Sequence, residues 1–120
     1  MMDLYREEIL EHWRNPQNFG EMKKPDVVVE QVNPLCGDRV IFFFKIKKGK
    51  IEDVKFTGSG CAISVASSSI LSEAIKGKSV KAIERITGQD VLVLIGGDIA
   101  PARLKCVFLP LEAVRKLTGR

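Results

Sequence analysis

The chain has 120 residues, 45% of them hydrophobic and 28% charged, with a net charge of +4 and three cysteines. That length builds one core and not two, so residues 1–120 are read as a single domain. The charge is mild, and the densest basic run, Lys45 to Lys50, lacks the interleaved aromatics of a nucleic-acid groove. No apolar run approaches the span of a bilayer, which argues against a membrane protein. "MMDLYREEIL" has neither the basic start nor the apolar core of a secretory signal. The expectation is a cytoplasmic protein with reduced thiols, and an odd cysteine count speaks against a disulfide framework.

In chain order, Tyr5, Ile9 and Trp13 recur every four residues and predict a helix, capped by Asp3 and ending before Pro16. "NPQNFGEMKKPD" reads as loop. Three strand-like runs follow, "VVVEQV", "DRVIFFFKIKK" and "KIEDVKFTG", the last two joined by a tight turn at Lys48-Gly49. After Gly60 the period changes. Ile63, Ala66, Ile70 and Ala74 share one helical face, and the helix is expected to end near Gly77. "SVKAIERITG" predicts a shorter helix, capped by Ser79 and closed by Gly88. "QDVLVLIGGD" fits either a strand or a helical turn capped by Asp90. Leu104, Val107, Leu111 and Val114 predict a last helix that Pro110 should kink or split. Strands first and helices afterwards describe an α+β fold, a small three-stranded antiparallel sheet with helices packed on one face.

The cysteines sit in three distinct contexts. In "NPLCGDRV" a sharp turn at Gly37 aims Cys36 and Asp38 at one point, a sulfur and an oxygen suited to a metal. In "FTGSGCAIS" Cys61 falls at a helix start behind Gly58 and Gly60, where amide N–H groups and the helix dipole favour a thiolate. The small residues of "SVASSS" behind it allow close helix packing. In "APARLKCVF" Cys106 lies about one turn into the last helix, between Leu104 and Val107, where buried packing competes evenly with a functional role. There is no CxxC pair of the kind that marks structural zinc.

"NPLCGD", "GSGCAIS", "ASSS", "AIKGKS" and "PARLKC", preceded by "ILEHWRNPQNFG", resemble the NifU N-terminal family, whose members include IscU and SufU. The likeness runs from the first helix to the last. It implies a compact α+β fold with the cysteines gathered at one end. It also implies that Cys36, Asp38, Cys61 and Cys106 surround a nascent [2Fe–2S] cluster, or a zinc ion in its absence. IscU-like members carry histidine immediately before the third cysteine; here that residue is Lys105, as in the SufU branch, which also has "PAR" ahead of it. SufU-like members carry an insertion before the third cysteine that residues 88–100 are too few to contain. "APARLK" does not reproduce the proline-rich segment that IscU offers to its Hsp70 chaperone, so the resemblance does not extend to chaperone docking.

The resemblance further implies a role as assembly scaffold, non-enzymatic in the strict sense. Sulfur would come from a cysteine desulfurase, and the cluster would go to apo iron–sulfur acceptor proteins. The alternative is a zinc-dependent, SufU-like sulfur carrier of sulfurtransferase type; a zinc-stabilised interaction domain is the third and blandest option. Cys106 is the candidate persulfide acceptor, with Cys61 second. Lys105, Arg39 and Arg103 are candidates to balance the anionic ligands, Lys105 as the ion-pair partner of Asp38, although all three also suit ordinary surface charge. His12 belongs to the family's "HY-x-NP-x-N" signature, here "HWRNPQN", on a helix near the partner surface; a surface or packing role suits it better than ligation.

Overall fold

A computed structural model describes residues 2–34, 37–96 and 99–118. Helix α1 (Met2–Arg14) leads into strands β1 (Val27–Val32), β2 (Arg39–Lys47) and β3 (Lys50–Ser59). Helices α2 (Ala62–Ile75), α3 (Val80–Ile83), α4 (Gly88–Ile95) and α5 (Leu104–Arg115) follow, with single 3₁₀ turns at Pro101–Arg103 and Lys116–Thr118. The sheet is antiparallel in the order β1-β2-β3, with Val29 opposite Phe42 and Phe42 opposite Phe56.

Alternation decides which face is buried. Val40, Phe42 and Phe44 point from β2 into the core, and Phe42 stacks on both Phe44 and Phe56 at centroid distances of 6.1 and 5.7 Å. A register shift between Lys45 and Ile46 resets the pleat, so that Ile51 and Val54, three residues apart, both face inward. Helices α2 and α5 cover this face, and α1 lies against α2. The free edge of β3 is closed by the loop after α1: Asn18 and Gly20 bond to the Phe56 backbone, and Phe19 meets the Phe56 ring edge-on.

Helix α2 sits at the centre and is buried on most sides, through five serines as well as Ala66, Ile70, Leu71 and Ile75. Each serine finds a partner. Ser67 donates to Val107 O, Ser68 to Ser64 O and Ser72 to Ser69 O. Ser69 accepts from the Gln17 amide and shares a 2.7 Å hydrogen bond with His12 Nδ1. The small residues expected to permit close packing therefore also stitch α1 and α5 to the central helix.

Local expectations are corrected at three points, and one left open is resolved. Helix α1 starts at Met2, so Asp3 lies inside it, and Trp13 is 46% exposed while its neighbour His12 turns inward; the Tyr5 side chain lies outside the described part. The Ser79-capped helix is a single turn ending at Ile83, and Gly88 opens α4 instead of closing α3. The ambiguous "QDVLVLIGGD" is helical over Gln89–Ile95, because Thr87 and Asp90 form a reciprocal capping box. Helix α5 is not split at Pro110: it runs from Leu104 to Arg115, with Val107, Leu109, Leu111 and Val114 buried on either side of the missing donor.

Candidate metal centre

The loop before β2 is closed by its own backbone. Gly37, at φ +77°, donates its N–H to Asn33 O at 2.7 Å, and Asn33 donates to Asp38 O at 2.8 Å. This turn delivers Asp38, 4% exposed, to the point where β3 passes into α2. Gly60, at φ +133°, makes that bend, and Cys61 is the N-cap of α2 with its thiol free of any capping bond. The capping is done instead by Asp38: its Oδ1 accepts from the Cys61 N–H at 3.3 Å, and its Oδ2 accepts from the Ser64 hydroxyl at 2.6 Å.

Cys106 reaches the same point from the first turn of α5, where it is 8% exposed. One ligand atom from each of Asp38, Cys61 and Cys106 lies within 4.8 Å of the others. Tetrahedral zinc, with bonds of about 2.0–2.3 Å, spaces its ligands about 3.3–3.8 Å apart, so small side-chain rotations suffice to seat an ion. Two sulfurs and one carboxylate oxygen suit zinc or iron and are too soft a set for calcium or magnesium.

The electrostatics fit that reading. Burial pushes the Asp38 carboxyl up, but hydrogen bonds from Ser64, Cys61 and Cys106 outweigh it and hold the group below the usual carboxylate value. At Cys106 burial comes first, with the Cys61 thiol and the Asp38 carboxylate adding to it, and together they push the thiol up to about 12. Without a cation the pocket therefore keeps Asp38 ionised and Cys106 protonated.

The other candidates divide into one that is not described and four that have other surroundings. Cys36 falls outside the described residues. Lys105 is exposed on α5 and pairs with no carboxylate among the described residues; Asp38 is held by Ser64 and Cys61 instead. Arg39 pairs with Glu30 across the sheet, and Arg103 is exposed in the 3₁₀ turn before Cys106. His12 bonds to Ser69, with Nε2 3.8 Å from Glu73 Oε1. Ser64 was not among the sequence candidates; 26 residues separate it from Asp38, and no local pattern links them.

An α+β fold that gathers cysteines and an aspartate from a strand start, a helix start and a second helix defines a class of metal- or cluster-holding proteins. The chain belongs to the NifU-like N terminal domain family, which matches residues 4–118. It is 36% identical to the zinc-dependent sulfurtransferase SufU of Bacillus subtilis, over 94% of this chain and 88% of that protein. It is 34% identical to an iron–sulfur cluster assembly scaffold protein IscU of Archaeoglobus fulgidus, over 94% of this chain and 73% of that one. A SufU structure of the SUF system from Fervidobacterium islandicum superposes with a TM-score of 0.75 at 29% identity, over 92% of this chain and 93% of that one. The alignment with Bacillus SufU spans 130 positions, more than this chain has residues, so SufU carries residues without a counterpart here. The IscU alignment spans only 113. Within the aligned span the chain lacks residues that SufU carries, and Lys105 stands immediately before its third cysteine.

Proposed function

We propose that this protein is a scaffold on which an iron–sulfur cluster, in the form [2Fe–2S], is assembled and then released. The observation that carries the reading is the convergence of Asp38, Cys61 and Cys106 at one end of a NifU-type fold. Cys36, two residues before Asp38, is the proposed fourth ligand. Clusters built for electron transfer are held by thiolates; a carboxylate is a harder ligand and holds a soft cluster less firmly, which suits cargo that must leave. Sulfur arrives as the persulfide of a cysteine desulfurase, and apo iron–sulfur proteins receive the product. The segment "HWRNPQN" at the end of α1, which carries His12 and the exposed Trp13, is the surface proposed for desulfurase docking. Docking of a chaperone is not part of the proposal. Among the described residues no helix is long and apolar enough to cross a membrane.

Cys106 is the proposed sulfur acceptor. Persulfide transfer needs a thiolate, and the metal-free pocket keeps this thiol protonated, so acceptance is expected in the metal-loaded protein. Mapping persulfide by mass spectrometry after incubation with desulfurase and cysteine checks the assignment, and label mainly on Cys36 contradicts it.

The second reading, a zinc-dependent sulfur carrier, is favoured by Lys105 and is compatible with the similarity to SufU. Anaerobic incubation with iron, cysteine and a desulfurase decides between the two. The scaffold turns brown with stoichiometric iron and sulfide. A carrier keeps a tightly bound zinc, takes up persulfide and builds no cluster.

A further inference from the structure

We propose that Ser64 is a positioning residue of the metal centre, fixing the rotation of the Asp38 carboxylate and so the oxygen lone pairs presented to the cation. This rests on the metal-centre reading above. Ser64 is the third residue of α2 and 3% exposed. Its Oγ lies 2.6 Å from Asp38 Oδ2 and 3.6 Å from Cys61 Sγ. A hydroxyl has a single proton, and here it goes to the carboxylate, leaving the oxygen to accept from the thiol.

The other buried serines of α2 are satisfied by main-chain groups or by His12 and Asn18; Ser64 is the one among the described residues that donates to a carboxylate. With both oxygens hydrogen-bonded, the carboxylate has a fixed plane. Without Ser64 the carboxylate loses its shortest bond and keeps the 3.3 Å bond from the Cys61 amide and the neighbouring Cys61 and Cys106 thiols, whose protons leave when a metal binds. Partners of this kind set ligand orientation, and their loss typically lowers metal affinity about 10–100-fold.

Chelator competition for zinc, on wild type, Ser64→Ala, Asp38→Ala and the double variant, is the test. Ser64→Ala should weaken zinc about 10–100-fold in the wild-type background and leave affinity unchanged where Asp38 is already alanine. Ser64→Thr, which keeps the hydroxyl, should bind more tightly than its isostere Ser64→Val; this pair replaces the alanine variant if that one does not fold. An equal loss in both backgrounds shows a merely structural role and overturns the inference. So does a Ser64→Ala protein with wild-type affinity. A wild-type protein that takes up no zinc overturns the metal-centre reading as well, so the two failures are distinguishable.

Discussion

The Asp38 carboxylate occupies the space that a β-carbon on Gly60 would need: a methyl group there would overlap the carboxyl carbon and Oδ1 and lie 3.0 Å from the Asp38 Cα. Gly60 is also at φ +133°, a conformation that L side chains rarely adopt. Gly60→Ala should therefore both strain the bend and displace a ligand. Thermal denaturation should show a loss of about 1–3 kcal/mol, and zinc affinity should fall in the surviving folded protein. Gly49→Ala, in the turn between β2 and β3, is the control. It carries the same kind of strain at φ +74° with no described atom within 4 Å of its β-carbon, so it should cost about 1–2 kcal/mol and spare zinc binding. Equal effects of the two on zinc contradict the account of Gly60.

Zinc uptake should release protons. Burial first, then the neighbouring Cys61 and Asp38, pushes Cys106 up to about 12, so the metal-free thiol is protonated at neutral pH and must lose its proton to coordinate. Affinity should rise with pH, by about tenfold per unit for each coupled proton. Calorimetry in buffers of different ionisation enthalpy reads the number directly, and about one to three protons per zinc are expected. A zinc affinity independent of pH around neutrality contradicts this.

Ser69→Ala should loosen α1 without touching the metal ligands. Ser69 is fully buried and serves both the Gln17 amide and His12 Nδ1, so its loss orphans two polar groups. The expected cost is about 1–3 kcal/mol, together with faster amide exchange in α1 and residues 15–18. Unchanged exchange there would show that α1 is held by apolar contacts such as those of Ile9 alone.

Much of this fold is legible in one dimension. The continuous apolar run in "DRVIFFFKIKK" marks a core strand, while the inward set Val40, Phe42 and Phe44 emerges only from the pleat; Gly37 and Gly60 mark the turns that carry Asp38 and Cys61. The misread points are those where a tertiary contact overrules a local rule. Pro110 breaks isolated helices, yet α5 is not split there, with four buried aliphatic side chains flanking it. Gly88 looks like a helix end because glycine often is one; the Thr87–Asp90 box makes it a helix start. Lys105 next to Cys106 suggests a charge partner for Asp38, but adjacent helical residues point in different directions, and Lys105 faces solvent while Cys106 faces the pocket. Ser64 carried no signal, since its meaning lies in a carboxylate brought from another strand.

The central claim is that an oxygen ligand keeps the grip on an iron–sulfur cargo provisional. It is tested most directly by Asp38→Ala, reconstituted anaerobically and followed by visible circular dichroism, both alone and with an apo acceptor. The account predicts a longer-lived cluster and slower transfer than in wild type. A cluster that decays faster than the wild-type one would contradict it.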